Sequence, residues 1–160
     1  MKKLFLLLIF ISSLAFGQFT IKDSSDNWEK VGNAYAHTIL YQRNDKTKAK
    51  IEYRDFQSFN LLQVNNLDLS YYTFEFSTNA DTLENIYQIF KEHFETKKEE
   101  TITLEFPEGN MILEFDKAIG GFYGNFKFDK VNNLIDKGDR SIRTAGALNM
   151  KQLNKLFGKK

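Results

Sequence analysis

The apolar residues of this chain change period twice, and that constrains its fold more than any other feature. Leu83, Ile86, Tyr87, Phe90 and Phe94 recur at i, i+3, i+4, i+7 and i+11, so they share one helical face opposite Glu84, Gln88, Lys91 and Glu95. On either side of this segment the apolar residues recur at every second position, the period of a strand with one solvated face. A helix bracketed by alternating runs defines an α+β class, and short turns between consecutive runs favour an antiparallel meander.

Before the helix, Tyr35, His37, Ile39 and Tyr41 alternate with Ala34, Ala36, Thr38 and Leu40, which predicts a strand over 34–42. A turn at Arg43-Asn44-Asp45-Lys46 leads to a second strand, with Ala49, Ile51 and Tyr53 on one face and Lys48, Lys50, Glu52 and Arg54 on the other. The passage through Phe56, Phe59, Leu61 and Leu62 has no regular period, and alternation resumes over 69–77 with Tyr72, Phe74 and Phe76 against Thr73 and Glu75. Asn79 or Asp81 is placed to cap the helix that follows, and Asp81 with Glu84 suits its positive end.

After the helix, Ile102, Leu104 and Phe106 face Met111, Leu113 and Phe115 across Pro107-Glu108-Gly109-Asn110. Proline presets the first turn torsion and glycine accepts a left-handed one, so these two runs form a hairpin. Gly120 and Gly121 bend the chain into another alternating run, Phe122, Gly124, Phe126 and Phe128. Asp129 stands before a short helical pattern of Val131, Leu134 and Ile135 that stops at Gly138. At the C-terminus Asn149 and Gln152 occupy the positions of a capping box, and Leu148 and Leu153 those of a hydrophobic staple. A helix therefore starts at Met150, buries Leu153, Leu156 and Phe157, and ends at Gly158. The expected order is βββ-α-βββ-α-α, about six strands with one long helix and two short C-terminal ones. Residues 28–95 and 99–157 then share an element order, although they lack residue-level similarity.

Residues 1–17 have the layout of a secretory signal peptide: Lys2 and Lys3, an apolar run from Leu4 to Ile11 too short for a comfortable membrane span, and a small-residue ending at Ala15 and Gly17. Residues 18–160 are expected to form one globular domain, exported to the periplasm or the cell exterior as a soluble protein. The chain has no cysteine, which excludes a lipobox anchor and any disulfide, so cohesion falls to an aromatic core. Thirteen of the sixteen phenylalanines and all seven tyrosines lie beyond residue 17. Without Lys2 and Lys3 the chain carries 20 basic and 21 acidic residues, a balance that gives no electrostatic case for nucleic acid.

Catalytic signatures are sparse. His37 and His93 are the two histidines; His37 is read as a sheet-face residue and His93 as a solvated boundary position beside the helical stripe. No metal-ligand spacing surrounds either one, and Asp23, Asp26 and Asn27 lack the glycine and terminal glutamate of a calcium loop, so no metal or cofactor is expected. A hydrolase reading would use either His37 or the carboxylate group of Glu105, Glu114 and Asp116. Gly120, Gly121 and Gly124 precede a strand-like run, a context that does not suit a phosphate-cradling loop. Arg140 and Arg143 flank Ser141 in a polar segment, where their forked donors suit a phosphate or carboxylate. Tyr71 and Tyr123 alternate opposite to their phenylalanine neighbours, as outward aromatics for contact with a protein or glycan. The leading expectation is a non-catalytic binding module whose sheet face meets a protein or envelope component. A carrier with a hydrophobic ligand in an aromatic-lined groove is the alternative, and a hydrolase comes third.

Overall fold

A computed structural model of the chain describes residues 27–34, 37–54, 71–129 and 142–159. They form two antiparallel four-stranded meanders, each followed by a helix. The first sheet runs β1 (Trp28–Ala34), β2 (Thr38–Arg43), β3 (Lys48–Arg54), β4 (Tyr71–Ser77), and α1 (Thr82–Thr96) follows it. The second runs β5 (Glu100–Phe106), β6 (Gly109–Ala118), β7 (Gly121–Asp129), β8 (Ile142–Thr144), and α2 (Met150–Leu156) follows. The α+β class holds, with eight described strands instead of about six and with the order ββββ-α-ββββ-α. The signal layout over 1–17 and the short helix expected at Val131, Leu134 and Ile135 lie outside the described residues.

Both extra strands have a physical reason for being inconspicuous. β1 carries an irregularity between Lys30 and Gly32, where the register with β2 shifts and the period of two is lost. The run expected over 34–42 is divided, since Ala34 ends β1, His37 lies in a helical turn and β2 begins at Thr38. The buried side of β2 is Thr38 and Leu40, and Ile39 and Tyr41 face outward. β8 has three residues, too few to show a period, and pairs with β7 only through Ile142, Arg143 and Thr144.

Where alternation was clean, the register follows it. Ala49, Ile51 and Tyr53 pair with Phe76, Phe74 and Tyr72 on the buried face of the first sheet. Met111, Leu113 and Phe115 pair with Phe128, Phe126 and Gly124 on the buried face of the second. These two faces meet ring to ring: Phe128 lies 4.6 Å from Tyr53 and 4.9 Å from Phe74, and Phe106 lies 4.9 Å from Phe76. Glu108, in the β5–β6 turn, ties the sheets together by accepting bonds from the Ser77 amide and hydroxyl. Burial pushes its carboxyl up, and those bonds outweigh it and hold the group below its usual range.

The helices fill the rest of the two inner faces, and each lies on the sheet of the other half. Phe90 of α1 packs on Phe115 and Phe126 of the second sheet, directly over Gly124, where an added β-carbon would stand 2.7 Å from the ring. The C-terminal turn of α2 lies on Gly32 of the first sheet, so closely that a β-carbon there would meet the backbone oxygens of Lys155 and Leu156. Tyr87 links the two helices by donating its hydroxyl to Asn154 at 3.0 Å. Asp81 is the N-cap of α1 without a side-chain cap bond, while Asn79 shapes the preceding turn by accepting from the Asp81 amide and the Thr82 hydroxyl. The capping box of Asn149 and Gln152 is formed as its spacing predicts.

Candidate partner-binding face

Register places the outward side chains of the first sheet in rows. Lys30, Tyr41, Lys50 and Glu75 form one row, Asn33, Ile39, Glu52 and Thr73 the next, and Arg54 with Tyr71 a third. Trp28 and Arg43 stand opposite each other beside the first row. Cations and rings interleave across these rows: the Lys50 ammonium lies 5.0 Å from the centres of both Trp28 and Tyr41, and the Arg54 guanidinium lies 4.8 Å from Tyr71. Such contacts are each worth about 0.5–1 kcal/mol at exposed sites, enough to fix side-chain position without making the fold depend on them.

Five basic residues, Lys30, Arg43, Lys48, Lys50 and Arg54, share this face with two acids, Glu52 and Glu75. Lys48 bonds Glu75 at 2.7 Å and Lys50 bonds Glu52 at 3.0 Å. The bond to Glu75 holds the Lys48 ammonium above its usual pKa, and burial followed by the nearby Glu52 charge pushes the Tyr41 phenol up. Half-exposed pairs of this kind add about 0–1 kcal/mol, so their chief effect is to orient charge.

The outer face of the second sheet is opposite in sign. Glu105, Glu114, Asp116 and Asp129 share it with one cation, Lys127, which bonds Glu114 at 2.7 Å. Glu105 pairs with Asn110, four residues along β6 from Glu114. That is about 14 Å of strand, whereas glycosidase carboxylates stand about 5–9.5 Å apart. Asp116 is two positions beyond Glu114 on the same face, about 7 Å along the strand and inside that range, and Lys127 pairs with Glu114 there.

The candidate residues therefore disperse. Tyr71, 45% exposed, belongs to the outer face of the first sheet. Tyr123 lies on the outer face of the second, pairs with Asp116 and rests against the Gly120–Gly121 turn. Arg140 is outside the described residues. Arg143 is on β8, 5% exposed, with its guanidinium 4.0 Å from the centre of the buried Tyr72 ring. Trp28, Tyr41, Lys50 and Arg54 join Tyr71 only through strand register. Trp28 and Val31, residue types that favour strands, were the signal for the missing edge strand.

His37 is half-buried in the turn before β2. His93 departs from the solvated boundary expected of it: it is 6% exposed, with its ring stacked 4.2 Å from Phe115. Its Nδ1 donates to the Ile89 carbonyl at 2.8 Å, and Nε2 lies 2.9 Å from Glu100. Spacing of three from Phe90 brings it onto the helical stripe, where β6 covers it. Glu100 also meets Lys98, and these bonds, His93 first, hold its carboxyl below the usual range. A depressed folded pKa means that this contribution is complete above the unfolded value, about 4.3, and is lost as pH falls through the folded value. Glu100→Gln is expected to flatten the dependence of the urea midpoint on pH below about 4.5. Parallel acid limbs for the two proteins would remove Glu100 from that role.

Among the described residues, no three His, Asp or Glu side chains converge on a common point, and no helix is long and apolar enough to cross a membrane. No family model, curated protein or solved structure matches the chain.

Proposed function

We propose that this chain is a non-catalytic exported domain that binds an acidic protein or envelope component through the outer face of its first sheet. The observation that carries this reading is the interleaving of Trp28, Tyr41 and Tyr71 with Lys50 and Arg54 on one strand face of net positive charge. Rings backed by cations offer flat apolar area and anion attraction together, and aromatic and arginine side chains are the usual anchors of interfaces. Export rests on the layout of residues 1–17. The partner reading is favoured over an aromatic-lined carrier because Tyr53, Phe74, Phe76, Phe106 and Phe128 spend their ring surface on one another.

The test is retention of the purified domain, residues 18–160, on envelope material from the producing cell, washed with increasing salt. Wild-type protein should be retained and released as screening shortens from about 10 Å at 0.1 M salt towards 3 Å at 1 M. Tyr71→Ala combined with Lys30→Glu should weaken retention roughly tenfold, about 1.4 kcal/mol. Glu105→Gln on the opposite face should leave it unchanged. Equal retention of the double variant, or loss caused by the opposite-face change, would refute the assignment.

A further inference from the structure

A groove of about 750 Å³ lies away from the outer face of the first sheet, between the edge strand β1 and α2. Its lining is Asn33, Asn149, Lys151, Gln152, Lys155, Gly158 and Lys159, with no acid among them. Lys159 is paired with Glu84 and lies over Tyr87. Lys151 and Lys155, one helical turn apart, make no ion pair among the described residues.

The capping box sharpens the chemistry. Asn149 Oδ1 accepts from the Gln152 amide at 3.1 Å, and Gln152 Oε1 accepts from the Asn149 amide at 2.7 Å. Both side-chain oxygens are thereby committed to backbone, leaving the two NH2 groups as the free ends of these amides. With Lys151 and Lys155, the groove offers a run of donors and a positive charge that no acid in its lining neutralises.

We infer that this groove binds a phosphate-bearing ligand. The lysines are compact point charges on flexible stems, which serve phosphate well, and the amide NH2 groups add neutral donors beside them. The groove is open to solvent along one side and has room for a diphosphate or for a phosphate carried on a larger group. That group is either a soluble ester or a lipid head.

The experiment follows the backbone amide NMR signals of α2 in the 18–160 domain as inorganic pyrophosphate is added at constant ionic strength. Saturable shifts are expected, with affinity at least tenfold weaker in the Lys151→Gln, Lys155→Gln double variant. Lys117→Gln, an exposed lysine at the far end of β6, should match wild type. A linear drift without saturation, an unchanged affinity in the double variant, or an equal loss in Lys117→Gln would overturn the site. Sedimentation with phosphatidylglycerol vesicles, compared with phosphatidylcholine, then separates the sources. Selective co-sedimentation marks a lipid head and its absence a soluble ester, and both uphold the groove provided that pyrophosphate saturates.

Discussion

Phe128→Ala is expected to lower the unfolding free energy by about 3–5 kcal/mol, the range for removing a buried phenylalanine ring. Phe128 is fully buried and contacts both sheets: Tyr53 at 4.6 Å and Phe74 at 4.9 Å from the first, and Phe126 at 6.0 Å beside it on β7. Truncation leaves a void between two sheets whose backbones are held by their own ladders, so the walls cannot close on it cheaply. No disulfide shares the load, because the chain has no cysteine. Urea unfolding should show a lower midpoint at an unchanged slope. A loss below about 1.5 kcal/mol would mean that this ring does not join the sheets.

Gly32→Ala should be nearly as damaging for the opposite reason. The added β-carbon would run into the Lys155 carbonyl oxygen and sit 2.6 Å from that of Leu156. Side chains can rotate away from an intruder, but helical carbonyls cannot, so either α2 lifts or β1 detaches. Lifting α2 would expose Leu153 and Leu156, both fully buried, together with Phe157. A cost of about 3 kcal/mol, the upper end of the overpacking range, is expected. Hydrogen exchange should locate it, with the amides of α2 exchanging faster than those of β6. Wild-type stability in this variant would separate α2 from the first sheet.

Much of the candidate face was half legible. The outward direction of Tyr71 follows from alternation against Tyr72, Phe74 and Phe76, because one strand suffices to define its own two faces. The company of Tyr71 was not legible. Trp28 meets Lys50 across two strand boundaries, and β1 hides behind its register shift. Arg143 illustrates the converse. In sequence it belongs to a polar, glycine-bounded segment, yet three residues of β8 turn it inward onto Tyr72 while Ile142 and Thr144 face out. A guanidinium is weakly hydrated and stacks on rings, so an arginine can occupy a place that its charge argues against.

The amino-acid sequence by itself determined the α+β class, the faces of β3 to β7, the stripe of α1 and the capping box of α2. Each is a local property, decided by residues within a few positions of one another through period, cap and turn chemistry. Tertiary structure alone decided that the meanders are two sheets of four, that each helix crosses to the other half, and that His93 is buried against Glu100. These depend on which apolar faces cover each other across long stretches of chain, and burial against a distant partner leaves no period in the sequence that it joins.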